Sequence, residues 1–215
     1  MAVIFAAIYN QVKEYLIRSG FLDRQRKLIL TKDYLEWENG DLKGKEFTRL
    51  NKADIVDFKH GMDWIVWYKF TVGQQFSVTF KSKENNELKI QFNSRFGLHK
   101  ENNQKYSDIV AESWRLYHSD IVDGYLDKFY SDVEIEIQGV KLKNKGIELP
   151  GHKGLVSWDK VATKDYYAYF AIFNKDNPNI HSRVSYNEYG TETLWSVLMT
   201  VLKEKGMSPT TTSLA

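Results

Sequence analysis

Apolar positions along this chain follow two rhythms, a helical spacing near 3.6 residues and a strand alternation of period 2, and the two succeed one another twice. Phe5, Ile8, Val12 and Tyr15/Leu16 share one helical face and predict an amphipathic N-terminal helix within residues 1–23. Further on, Phe76, Val78 and Phe80 alternate with Ser77, Thr79 and Lys81. Glu84-Asn85-Asn86 then turns the chain into Leu88, Ile90 and Phe92. That pattern predicts a hairpin with one buried face. Helical spacing returns at Tyr106, Ile109, Val110, Ser113/Trp114 and Tyr117. The order then recurs. Ile121, Val122, Tyr125, Leu126 and Phe129 predict a helix, Val133, Ile135 and Ile137 a half-buried strand, and Leu194, Val197/Leu198 and Val201/Leu202 a closing helix.

The recurrence extends to residue identity. Val12-Lys13-Glu14-Tyr15-Leu16 returns as Val122-Asp123-Gly124-Tyr125-Leu126, and Leu30-Thr31-Lys32-Asp33-Tyr34-Leu35-Glu36 as Leu142-Lys143-Asn144-Lys145-Gly146-Ile147-Glu148. Two copies of one unit are expected, over residues 24–118 and 131–205, each running strands first and ending in a helix. A helical linker over 119–130, with no Pro/Ser-rich spacer, should hold them in a fixed mutual orientation. Ser208-Pro209-Thr210-Thr211-Thr212-Ser213 has nothing to bury, so residues 206–215 read as a disordered tail.

Composition narrows the function classes. With 215 residues and 42% hydrophobic content there is material for one large or two small cores. Thirty basic against 28 acidic residues leave a formal charge of +2, without a strongly basic half, which argues against nucleic acid as a partner. The absence of cysteine removes disulfides, thiolate catalysis and Cys-based metal sites. Val3-Ile4-Phe5-Ala6-Ala7-Ile8 lacks a preceding basic region and falls short of the roughly 20 apolar residues of a membrane span. The reading is of a cytoplasmic protein, peripheral to the membrane if it meets one.

Two segments carry a family resemblance. Leu142-Lys143-Asn144-Lys145-Gly146-Ile147-Glu148-Leu149 followed by Leu155-Val156-Ser157-Trp158-Asp159-Lys160-Val161 resembles the opening of a bacterial pleckstrin-homology-like (PH-like) domain. Leu30 to Trp37 and Leu50-Asn51-Lys52-Ala53-Asp54-Ile55 take the same places in the first copy, without the second segment's Trp. The resemblance implies an α+β, mainly β fold of two bent β-sandwich or barrel units, each plugged by its C-terminal helix. It also implies lipid, protein or self-association, with no catalytic residues.

The residues able to carry chemistry point the same way. His60, His99, His118, His152 and His181 are scattered singly, which reads as surface or turn histidines and not as metal ligands. Gly40-Asp41-Leu42-Lys43-Gly44-Lys45-Glu46 is one residue short between its glycines for a phosphate loop and has Glu where a hydroxyl is needed. No cofactor is expected. Asp132, Glu134 and Glu136 share one strand face, best read as solvated.

Two features support binding. Lys141, Lys143 and Lys145 alternate along one hairpin and could meet anionic headgroups, although pairing with the acidic strand at 132–136 is the simpler account of them. The other feature is a pair of strands apolar on both sides. Trp64, Val66, Tyr68 and Phe70 would form one face with Ile65 and Trp67 opposite, while Tyr166, Ala168, Phe170 and Ile172 alternate with Tyr167, Tyr169, Ala171 and Phe173. A sheet with one wet face does not look like this. The simplest expectation is that the copies or their helices cover these outer faces; where that packing is incomplete, a Trp/Tyr patch is left as an interaction surface. The leading expectation is a non-enzymatic interaction or assembly module. It would bind a protein partner or itself through Ile65, Trp67, Tyr167 and Tyr169, with anionic-membrane binding through Lys141, Lys143 and Lys145 as the alternative.

Overall fold

The computed structural model describes residues 12–20, 23–40, 44–95, 99–166 and 168–207. The chain divides after Ser119 into two compact units. In the first, β1 (Lys13–Arg18), β2 (Gln25–Leu30), β3 (Tyr34–Glu38) and β4 (Phe47–Asn51) form an antiparallel meander in sequence order. A 3-10 turn over Lys52–Asp54 leads into a second meander of β5 (Ile55–Trp67), β6 (Phe70–Ser82) and β7 (Glu87–Arg95). Helix α1 (His99–Ser113) follows and continues through a π-helical stretch, Trp114–His118.

The alternation explains the core. Arg26, Leu28 and Leu30 point inward from β2 while their neighbours are partly or fully exposed, and Phe76, Val78 and Phe80 pair across the sheet with Phe92, Ile90 and Leu88, all six buried. The predicted hairpin forms as read, with Asn85 taking the left-handed conformation in its turn. The helix spans both meanders through aromatics. Tyr106 stacks on Phe76 at 4.8 Å, and Tyr117 meets Phe80 edge-on at 6.0 Å. The Tyr117 hydroxyl accepts the Thr31 N–H (3.2 Å) and has the Thr31 and Tyr34 carbonyls within donating distance, both 2.9 Å, which ties the helix to the β2–β3 turn.

The second unit repeats the plan. Helix α2 (Ser119–Tyr130) precedes a meander of β8 (Ile135–Ile137), β9 (Val140–Lys143), β10 (Gly146–Glu148) and β11 (Val156–Ser157). A 3-10 turn at Trp158–Lys160 leads to β12 (Val161–Asp165), β13 (Tyr169–Asn174) and β14 (His181–Ser185), and α3 (Thr191–Glu204) closes the unit. Leu194, Val197, Leu198, Val201 and Leu202 of α3 are all buried in its core. A Schellman arrangement ends α3: Gly206 is left-handed, its N–H bonds Lys203 O at 3.0 Å, and Met207 N–H bonds Leu202 O at 2.9 Å. Gly206 and Met207 therefore belong to the cap and not to a tail; residues 208–215 lie outside those described.

The four-plus-three strand plan recurs in both units, and it differs in one place from the register read in the sequence. Leu30 pairs with Leu35 and Leu142 with Ile147, so the second matched segment is the same hairpin in both units. The strand, 3-10 turn, strand run also recurs with near-equal cap angles, φ −72 and ψ 145 at Asn51 against φ −63 and ψ 149 at Ser157. The Val12–Leu16 and Val122–Leu126 match does not hold. Residues 13–18 are strand β1 while 119–130 are helical, and the strand equivalent to β1 is β8. Only Ile17 of β1 is fully buried, and neighbouring backbone pairing with β2 outweighs the helical spacing of its side chains. Residues 1–11 of the expected N-terminal helix lie outside those described. α2 is helical as expected and also contributes Val122 and Phe129 to the second core.

Candidate functional site

The first unit's β5–β6 hairpin is much longer than its counterpart. β5 and β6 have 13 residues each, whereas β12 and β13 have 5 and 6. The third strand, β7, pairs no further along β6 than Gly73, opposite Arg95. Beyond that rung the ribbon continues as two strands through Val66↔Thr71 to Trp67↔Phe70, with an irregularity between Ile65 and Val66.

Both sides of this tip are open to solvent. Trp64 is 52%, Val66 61%, Trp67 75%, Tyr68 85% and Phe70 69% exposed, and Ile65 is half-buried. The segment's own unit thus leaves its doubly apolar stretch uncovered. Reading 64–70 as one continuous strand also fails: Tyr68 and Lys69 form a two-residue turn between paired Trp67 and Phe70. Tyr68 has φ 59, a left-handed conformation that such turns normally give to Gly, Asn or Asp. Without one of those residues the turn carries no sequence signal, and Tyr68 and Phe70 read from sequence as strand and not as tip residues. Lys69 Nζ lies 6.0 Å from the Tyr68 ring and is the sole charge between Trp64 and Gln75.

The second unit's aromatic segment is different. Phe170 and Ile172 are buried core residues, and Tyr169 is half-buried and stacked on Tyr166 at 4.6 Å, with the Arg183 guanidinium 5.4 Å from the Tyr169 ring. Tyr167 lies outside the described residues. Of the four aromatic-face positions, Ile65 and Trp67 share the β5–β6 tip, and Tyr169 sits at the mouth of β12–β13 in the second unit.

The basic hairpin is matched by carboxylates. Lys143 Nζ is 2.6 Å from Glu148 and 2.9 Å from Glu134, and Lys141 Nζ is 3.5 Å from Glu134 and 4.0 Å from Glu136. Hydrogen bonding to Glu148 and Glu134 raises the Lys143 ammonium above its ordinary range, and Lys143 in turn holds the Glu134 carboxyl below its own. Lys145 is exposed in the β9–β10 turn, off the strand alternation. The acidic face at 132–136 is thus a lysine-paired face. Asp132 is not on it, but left-handed in the turn that ends α2.

Other candidate chemistry resolves into structure. His118 is fully buried, its ring 5.1 Å from Phe58, which corrects its surface reading: the π-helical stretch turns it inward. His60 Nδ1 meets the Tyr106 hydroxyl at 2.9 Å. His152 and His181, distant in sequence, have ring centroids 6.3 Å apart at the surface. His99's side chain lies outside the described residues. Among the described residues no group of three or more His, Cys, Asp or Glu could hold a metal ion. Residues 41–43 of the glycine-bounded segment are not described; at its base Thr48 Oγ1 donates to Asn39 Oδ1 (2.8 Å) and Asn39 Nδ2 to Lys45 O (3.1 Å), an ordinary hairpin clamp.

The chain matches no family model, no curated protein and no solved structure. The tip must be interpreted from its own chemistry. No helix among the described residues is long and apolar enough to cross a membrane.

Proposed function

We propose that this protein is a non-enzymatic interaction module, built of two PH-like units, that works by burying the exposed aromatic tip of its β5–β6 hairpin. The observation that carries this reading is the exposure of Trp64, Val66, Trp67, Tyr68 and Phe70 together on one projecting ribbon. Monomers seldom leave such a contiguous apolar patch uncovered unless it binds something. Trp and Tyr are also the side chains on which binding energy concentrates. The four-plus-three strand plan ending in a helix, present in both units, supports the PH-like part of the proposal. The other reading, headgroup binding at Lys141, Lys143 and Lys145, has weaker support because Glu134, Glu136 and Glu148 already neutralise two of the three lysines.

Quenching of Trp67 tests the proposal, with its emission isolated as the difference between the wild type and Trp67→Phe. In dilute protein free of any partner, Trp67 should be fully open to acrylamide. A protected Trp67 in protein that sediments as a monomer would mean that the tip packs on the protein's own body, and the interaction reading would fall.

A further inference from the structure

We infer that the occupant of the β5–β6 tip is the interfacial layer of an anionic lipid bilayer; this rests on the reading of the tip as a binding surface and gives it a partner. Three observations select a bilayer over a protein surface. The first is that the tip is apolar around its circumference. Val66 and Trp67 are successive strand residues and so face opposite ways, yet both are exposed, as are Tyr68 at the apex and Phe70 beside it. One flat partner surface would cover a single face of such a finger, whereas a bilayer encloses an inserted tip on every side.

The second observation is the kind of side chain. Trp64, Trp67 and Tyr68 combine large apolar rings with a polar N–H or O–H, the combination that settles at the boundary between headgroups and acyl chains. Lys69 is the sole charge of the segment from Trp64 to Gln75, stands at the apex and is positive, so it complements an anionic leaflet and can reach back to its phosphates. A carboxylate in the same place would oppose insertion.

The third is depth. From the Ile65↔Gly73 rung to the turn the ribbon extends about 10 Å at the usual strand rise, comparable to the 5–10 Å by which interfacial elements enter a membrane. Along this stretch β7 no longer pairs with β6. Deeper insertion would strip water from ribbon-edge backbone groups at a cost of several kcal/mol each, so the geometry suits a shallow wedge. The second unit, whose equivalent hairpin is short, completes the same strand plan without such an extension. The extension is therefore dispensable for folding a unit of this kind.

The experiment is co-sedimentation of the full chain with vesicles of phosphatidylcholine alone and of phosphatidylcholine with about one third phosphatidylglycerol, read alongside Trp67 emission and acrylamide quenching. Wild type should bind the anionic vesicles more tightly than the neutral ones, with Trp67 shifted to the blue and shielded. Trp67→Ser/Phe70→Ser should lose roughly tenfold or more in affinity. Tyr68→Gly, which relaxes the left-handed turn, should also weaken binding without lowering the melting temperature, while Lys141→Gln/Lys143→Gln/Lys145→Gln should retain it. Absence of vesicle binding with a freely quenched Trp67 would overturn the membrane assignment and leave a protein partner or a second copy as the occupant. Equal binding by wild type and Trp67→Ser/Phe70→Ser would overturn it by placing the contact elsewhere. A Trp67 shielded before any lipid is added, in protein that sediments as a monomer, would overturn the membrane assignment and the interaction reading together.

Discussion

A Cβ built on Gly146 would lie 2.1 Å from the Val156 carbonyl oxygen and 2.9 Å from Ser157 Cα, both backbone atoms that can move only if β10 and β11 separate. Gly146→Ala should therefore destabilise the second unit by about 3 kcal/mol or more, seen as a lower urea midpoint. Gly124 is the opposite case: it is exposed within α2, and a methyl added there would meet nothing within 4 Å, so Gly124→Ala should stabilise by about 0.5–1 kcal/mol. Glu134 supplies a pH test. Its folded carboxyl is held below the ordinary Glu value of 4.5, chiefly by the Lys143 hydrogen bond. Any stability from this pair is present above the unfolded Glu pKa and lost as pH falls through the depressed folded value. Lys143→Gln should move the Glu134 titration, followed by carboxyl NMR, back up toward 4.5. The turn of the repeated hairpin also shows two solutions to one problem. In the second unit Trp158 Nε1–H donates to Lys143 O (3.1 Å) and Asn144 O (2.9 Å), while in the first the Tyr117 hydroxyl bonds the corresponding Thr31. The absence of a first-copy Trp, visible in sequence, is thus offset by a tyrosine brought from the helix.

At the scale of elements, the β5–β6 ribbon is where local rules conflict with the structure. Tyr68 occupies a left-handed position, φ 59, that costs a non-glycine residue about 1 kcal/mol. Tyr68→Gly should accordingly raise the melting temperature by a few degrees even as it weakens lipid binding. A fall in melting temperature would show that the Tyr68 ring stabilises the fold and would weaken its assignment as a contact. The β6–β7 hairpin, in contrast, was readable in detail: period-2 alternation, Glu84-Asn85-Asn86 and the buried pairs all agree. Alternation is a reliable guide where one face is buried and the other wet. It misleads at Trp64–Phe70, where neither face is buried and the turn lacks a turn-forming residue. The same limit explains β1, whose apolar residues sit at helical spacing although its backbone pairs with β2 over Lys13–Arg18.

At the scale of the whole molecule, the second unit has a core of its own, to which α2 contributes. Phe129 is 5% exposed and meets Trp158 edge-on at 5.8 Å, so Phe129→Ala should destabilise that unit by about 3–5 kcal/mol. Hydrogen exchange at Val78 and Ile90, in the first core, should remain as protected as in the wild type; loss of protection there would show that the units unfold as one. By itself the sequence determined the repetition, the strand-rich class, the closing helices and the core residues of the regular hairpins, because burial on one face imposes a period that can be read from the residues. It also marked Trp64–Phe70 as abnormally apolar. Only the tertiary structure decided whether that excess was covered, where the chain turned, and that Lys141 and Lys143 faced Glu134, Glu136 and Glu148. Those outcomes depend on how far β5 and β6 extend past β7 and on which strand lies beside which, and no local period encodes the reach of one strand beyond its neighbour.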